Sequence, residues 1–198
     1  FQERWFVVFR EGKDRTAPGS DLRIMASADG QTWQSTALLT ILGQDLREPK
    51  LQVTPDGRLM LNTVAWLRPA QSGVRHQSLV YFSDDGWKWE GPHNIGDPNV
   101  WIWRVAWHKG VCYGVGHHKL FRAEVGTKRG FLRLYRSEDG RQWDVLADDF
   151  LKGPEFPNEA ALAFGADDTC YCLVGCSKSK QPGGAVPGML GVSAPPYT

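Results

Sequence analysis

The chain has no surplus of charge of either sign. Its 23 Lys and Arg stand against 22 Asp and Glu, for a formal net charge of +1 over 198 residues. Nucleic-acid binding needs a basic excess gathered on one face, so no nucleic-acid partner is expected. Long apolar runs are lacking as well, so no membrane span is expected. No stretch carries a helical apolar period, which removes helical fold classes and leaves an all-β reading. Cysteine is sparse: the four residues Cys112, Cys170, Cys172 and Cys176 match no zinc-ligand spacing. Cys170 and Cys172 alternate on one strand and point the same way, a poor geometry for bonding each other, so buried free thiols are expected. The adjacent His117 and His118 follow a strand and face opposite ways if extended, which suits a surface or loop role better than a metal clip. A glycine-rich phosphate loop and a serine nucleophile elbow are also missing. No metal and no cofactor is expected.

Aromatic residues, in contrast, are plentiful, with nine Trp in the chain. That number exceeds what core filling needs, so several belong at turns or in a pocket. Three of them close one motif. SADGQTW (27–33), SDDGWKW (83–89) and SEDGRQW (137–143) all fit Ser-x-Asp-Gly-x-x-Trp, and their starts lie 56 and 54 residues apart. Each follows a strand-like run. Asp-Gly makes a tight turn, with Gly supplying positive φ. The Asp carboxylate accepts backbone N–H groups, joined by the Ser hydroxyl, and the Trp folds back as an apolar plug. Asp29, Asp85 and Asp139 therefore read as structural residues.

A second element recurs in phase. PKLQVTPDGRLML (49–61), WRVAWHKGVCYGV (103–115) and NEAALAFGADDTCYCLV (158–174) each read as strand, polar turn and strand, with Arg47, Arg104 and Glu159 at spacings of 57 and 55 residues. Two hairpins per period make a four-stranded unit, and a period near 50 residues marks a β-propeller. The fold class is therefore all-β, with about three to four propeller blades of four antiparallel strands over residues 1–198. On this reading 1–12 opens a blade that lacks its innermost strand, and 188–198 opens a further blade. The domain is expected to be incomplete at both ends. Its open blade edges then invite self-association. The Gly/Pro/Ser-rich stretches 12–20 and 177–188 read as mobile blade connections.

Propeller pockets are lined near the ends of the innermost strands. In this repeat those positions read QDLREPK (44–50), VWIWRVAW (100–107) and EFPNEAAL (155–162). They place Asp45, Arg47, Glu48, Arg104, Asn158 and Glu159 at one structural level, with Trp101 and Trp103 beside Arg104. Guanidinium forks bind carboxylates and hydroxyls, and aromatic faces stack on sugar rings, so the pattern suits a glycan or small carbohydrate ligand. The competing reading pairs these charges with one another.

The three turn motifs resemble the Asp boxes of the sialidase-like superfamily, and the chain looks closest to bacterial proteins of the BNR-repeat, exo-α-sialidase-like kind. The resemblance implies a six-bladed propeller in full, a secreted or periplasmic location, and a retaining exo-glycosidase with a tyrosine nucleophile. VFREG (8–12) with SDLRIMASADG (20–30) resembles the segment that carries the acid/base carboxylate. Asp21 or Asp14 takes that place. NEAALAF (158–164) resembles the segment that supplies the glutamate partner of the tyrosine, which falls on Glu159. Arg47 and Arg104 take the level of carboxylate-gripping arginines. Where the resemblance implies a further arginine the chain reads LVGCS (173–177), and Tyr197 lies in a PPYT turn unsuited to a nucleophile. Two functions follow as expectations: a sialidase-like glycoside hydrolase acting on a glycan, with an acidic sugar in view, or a non-catalytic propeller that binds a carbohydrate or protein partner.

Overall fold

Turn residues set the strand ends throughout. In a computed structural model the chain is described over residues 1–14, 19–118, 130–150, 156–177 and 188–197. The connections expected to be mobile fall largely outside these residues. Among these residues every regular element is a strand, and the strands form four antiparallel sheets in two compact units, Phe1–Pro98 and Asn99–Thr198. This is an all-β fold of propeller blades.

In the first unit β1 (Trp5–Glu11), β2 (Asp21–Ser27) and β3 (Gln34–Leu39) make a three-stranded sheet. A four-stranded sheet follows, in the order β4 (Gln44–Val53), β5 (Leu59–Gln71), β6 (Val74–Ser83) and β7 (Glu90–Ile95). β2 shows why the two sheets stack. Its alternating Leu22, Ile24 and Ala26 are buried, and the first two join Leu46, Leu61, Leu79 and Tyr81 in one apolar core. β4, the leading strand of the second sheet, packs on β1 and β2.

The second unit repeats the plan. β8 (Val100–His108), β9 (Val111–His118), β10 (Phe131–Ser137) and β11 (Asp144–Asp148) form a four-stranded sheet. β12 (Phe156–Phe164), β13 (Cys170–Ser177) and β14 (Met189–Ser193) form a three-stranded one. Leading strand β12 packs on β8 and β9, and Leu132, Leu134, Leu162 and Val174 share the core between the sheets. Two of the four sheets thus have four strands and two have three among the described residues. Residues 189–193 correct the expectation of a new blade there. β14 pairs with β13 through Leu173↔Leu190 and Tyr171↔Val192, so it is the third strand of the sheet that β12 opens.

The Ser-x-Asp-Gly turns join β2 to β3, β6 to β7 and β10 to β11. Asp29 Oδ1 accepts the amides of Gln31 at 2.8 Å and Thr32 at 2.7 Å, while Ser27 Oγ accepts the Gly30 amide at 2.8 Å. Asp85 and Asp139 make the same two-amide bonds at 2.7–2.8 Å and 2.8 Å. Gly30, Gly86 and Gly140 all take φ between 72° and 83°. The tryptophans are tied to the turns themselves, not simply plugged between strands: each indole N–H donates to the motif Gly carbonyl, at 3.3, 3.3 and 2.9 Å. Trp89 also packs on the first unit's core, whereas Trp33 stays exposed. At Gly86 the turn leaves no room, since an added Cβ would lie 2.3 Å from the Phe6 ring.

All four cysteines are free; Cys112, Cys170 and Cys172 are buried and Cys176 is half-buried. Burial pushes the Cys172 thiol up to about 12, with a smaller push from Cys170, and raises Cys112 further. His117 differs from its expected surface role. It lies within β9, is 2% exposed, and accepts the Trp103 indole N–H on Nδ1 at 2.7 Å.

Candidate functional site

The positions singled out by spacing share a backbone irregularity. In β4 the pairing runs Arg47↔Val64 and then Lys50↔Asn62, so Glu48 and Pro49 together oppose Thr63. In β8 it runs Ile102↔Gly116 and then Val105↔Gly114, leaving Trp103 and Arg104 opposite Val115. In β12 it runs Pro157↔Cys176 and then Ala160↔Val174, leaving Asn158 and Glu159 opposite Gly175. Each leading strand therefore carries a two-against-one β-bulge at the same place in the repeat. A bulge bends its strand and re-aims two consecutive side chains, so residues that would alternate faces are presented together.

In the first unit the bulge adjoins a cluster of buried charge. The Asp45 side chain is fully buried. Arg10 Nε donates to its Oδ1 at 3.0 Å, and Arg10 Nη2 lies at 3.0 Å from the same oxygen. Arg47 Nε donates to Oδ2 at 2.7 Å and its Nη2 lies at 2.6 Å. One carboxylate thus holds two guanidiniums, and the cluster keeps one positive charge in excess. Both arginines remain partly exposed, and the Arg47 guanidinium lies 4.9 Å from the Trp66 ring centre. The Thr63 hydroxyl donates to the Arg47 carbonyl at 2.6 Å and pins the bulge from the opposite strand. Glu48 takes φ of 51°, and Lys50 Nζ donates to its carbonyl at 2.9 Å. Asp21 opens β2 opposite Glu11. The carbonyl of its neighbour Ser20 accepts the Leu46 amide, which brings Asp21 to the segment that carries Asp45 and Arg47. Asp14 gives its backbone carbonyl to Arg10 Nη1 at 2.9 Å.

In the second unit Arg104 and Glu159 are both exposed at their bulges, and Asn158 is half-buried beside Glu159. The Asn158 Oδ1 atom is buried without a hydrogen-bond partner among the described residues. Gly175, across from Glu159, has no side chain, and the Glu159 backbone and Cβ lie 3.6–3.9 Å from where its Cβ would be. Trp101 is 7% exposed and packs against Trp103 with ring centres 5.4 Å apart; Trp103 in turn stacks on His117 at 5.5 Å. The three rings make a braced aromatic wall in which Trp103 is the more open member.

Spacing therefore located the bulges of β8 and β12, fell one residue short of the bulge in β4, where Arg47 is still paired, and missed Arg10 and His117. Arg10 is joined to Asp45 only by a contact 35 residues away, for which the sequence holds no local sign. Among the described residues no group of three His, Cys, Asp or Glu side chains is placed to hold a metal ion, and no helix is long and apolar enough to cross a membrane.

No protein-family model matches the chain, and no curated protein matches it by sequence. Solved structures match over almost its whole length. A protein of unknown function from Dyadobacter fermentans superposes with a TM-score of 0.75 at 16% identity, covering 99% of this chain and 64% of that one. An α-L-arabinanase from Penicillium chrysogenum, solved with arabinobiose, gives 0.73 at 17% identity, covering 98% and 60%. A GH93 α-L-arabinofuranosidase from Fusarium graminearum, also solved with arabinobiose, gives 0.70 at 17% identity, covering 89% and 55%. The chain spans less than two thirds of each of these proteins. At such identities the likeness is one of fold, and that fold is the β-propeller.

Proposed function

We propose that this chain is the glycan-recognising part of a propeller glycoside hydrolase. The observation that carries the proposal is the bulge repeated on three leading strands, which holds Arg104 and Glu159 and begins one residue after Arg47. The side chains at these bulges, Glu48, Arg104 and Glu159, are exposed, and such a set offers charged hydrogen-bonding groups to a polyhydroxylated ligand. The arabinobiose complexes of two structural neighbours support a sugar as the ligand class.

In this reading Asp45 does not touch substrate. It is a positioning residue that presents Arg10 and Arg47 with one net positive charge, an arrangement suited to a carboxylate or a hydroxyl-rich acidic sugar. Taken by itself, the second unit offers Arg104 to a ligand of this kind, with Trp103 as the open face of its aromatic wall. Glu159 is the catalytic carboxylate we assign. It serves as the basic partner of a nucleophile that attacks the anomeric carbon, and water then frees the sugar from that nucleophile. Asp21, in the first unit, keeps the acid role that the sialidase-like resemblance implies. The outcome is hydrolysis with retention. A sialidase-like specificity is the finer form of this proposal, resting on the three Ser-x-Asp-Gly turns.

The test is turnover. The protein, and its Glu159→Gln variant, are incubated with a fluorogenic α-sialoside and with a chromogenic α-L-arabinofuranoside. Release of the reporter by the wild type, with a loss of at least 100-fold in kcat/KM for the variant, is the expected result. Equal turnover by both proteins would remove Glu159 from the mechanism. Retained sugar binding without turnover on either substrate would leave the non-catalytic binding propeller as the better reading.

A further inference from the structure

A second site is signalled where the repeat breaks its own rule. The residue before each motif serine has a cross-strand partner, and the three blades can be compared at these positions. They are Phe6↔Ala26 in the first sheet, Met60↔Phe82 in the second and Tyr113↔Arg136 in the third. Ala26, Met60 and Phe82 are buried, as the inner face of a sheet requires. Arg136 is exposed and Tyr113 is half-buried. A polar pair has replaced an apolar one at a position that the fold otherwise uses for its core, and such local departures mark sites kept for a task other than folding.

The pair opens on a cleft of about 370 Å³ within the second unit. That volume lies in the range of pockets for small ligands, of the order of 300–1,000 Å³. Tyr197, in edge contact with Tyr113 at 5.4 Å between ring centres, and the Pro195-Pro196 step line the same cleft, and Leu146 adds to the apolar lining. The floor is braced. Asp168 Oδ1 lies 2.9 Å from His108 Nε2, its Oδ2 accepts Lys109 Nζ at 2.6 Å, and its carbonyl accepts the Tyr197 hydroxyl at 2.9 Å. His108 is stacked on Phe164 with ring centres 4.4 Å apart, and both tyrosines meet that Phe164 ring, at 5.1 and 5.5 Å. Asp168 is therefore neutralised by its own neighbours. Arg136 is not: it makes no ion pair among the described residues, not even with Asp144 across the strand. The Tyr113 hydroxyl likewise makes no hydrogen bond there. A planar cation and a phenol donor thus stand side by side, facing a wall of aromatic and prolyl rings.

We infer that this cleft is a binding site for a small carboxylate carried on a sugar-like ring. The carboxylate would take the Arg136 fork in a two-bonded geometry with the Tyr113 hydroxyl in support, and the ring would lie against Tyr197 and Pro196. The site is separate from the bulge of the leading strand, since His108 stands four residues, or about 13 Å, along β8 from Arg104. It does not depend on the hydrolase reading.

The experiment is an amide NMR titration of the whole chain with sodium glucuronate, with glucose and sodium acetate in parallel. Glucuronate should give saturable shifts at residues 109–113 and 136. Glucose and acetate should each bind at least tenfold more weakly. Arg136→Gln should weaken glucuronate at least tenfold with the dispersed spectrum retained, and Arg136→Lys, which keeps the charge and loses the fork, should fall between. Failure of the leading-strand site and failure of this one are distinguishable by position, since shifts from the former fall at residues 102–105 and 158–160 and shifts from the latter at residues 109–113 and 136. Absence of saturable shifts overturns the inference. So does acetate binding as tightly as glucuronate, or glucuronate binding that survives Arg136→Gln.

Discussion

Single residues carry the turns. Two backbone amides and a serine hydroxyl surround the Asp29 carboxylate, and the Thr32 and Gln31 amides with Ser27 lower its pKa to about 2. Asp85 is lowered mainly by the Lys88 and Trp87 amides. At Asp139 burial pushes upward, but the Gln142 and Arg141 amides outweigh it and the pKa is again lowered. Groups whose folded pKa lies below the unfolded one stabilise the fold above the ordinary carboxylate range, and that stability is lost as pH falls through the folded value. The urea midpoint of the protein should therefore drop as pH falls from about 4 towards 2. A triple variant with Asn at 29, 85 and 139 should show a flatter midpoint over that window, measured by equilibrium fluorescence unfolding. An equally steep curve would assign the acid sensitivity to other carboxylates.

At the scale of the strand, the sequence displayed periodicity well and long-range pairing poorly. The recurrence of Arg47, Arg104 and Glu159 followed from chain spacing alone, because a repeated blade repeats its residues. The bulge that unites them was hidden, because it is a mismatch between two strands and neither strand shows it alone. The Asp45 cluster was hidden for a similar reason. Asp45 sits two residues from Arg47, but its burial is set by Arg10 on another sheet. Asp45 is consequently sensitive. Replacing it with Asn removes the carboxylate that two partly buried guanidiniums share, and the expected cost is about 3 kcal/mol. Chemical denaturation should show this loss of stability, and Arg10→Met with Asp45→Leu and Arg47→Met should recover most of it. Recovery would show that the cluster is kept for presenting its arginines, not for holding the fold.

For the whole molecule, two faces stand out. On β13 and β14 the cross-strand pairs Tyr171↔Val192 and Leu173↔Leu190 present four exposed apolar side chains on one surface. In the first unit Trp5, Val7 and Phe9 do the same along β1. Contiguous apolar faces of this kind mark surfaces meant to be covered. We expect the chain to self-associate through them, with size-exclusion chromatography at high concentration showing species larger than a monomer. Leu173→Lys combined with Leu190→Lys should restore the monomer. A wild-type chain that elutes as a monomer throughout would refute this.

The repeated bulge also has a consequence for how such a chain can change over generations. Ile102 and Val105 reach the same face only because one additional residue stands between them, and Arg47 with Lys50, and Pro157 with Ala160, obey the same count. A strand of this design behaves like a reading frame. Exchanging one side chain for another at Glu48, Arg104 or Glu159 rewrites a single letter and leaves the rest legible. Removing one residue there turns the remainder of the strand inside out. Lineages built on this repeat are free to alter what they recognise by substitution, while changes of length are confined to the connections between blades.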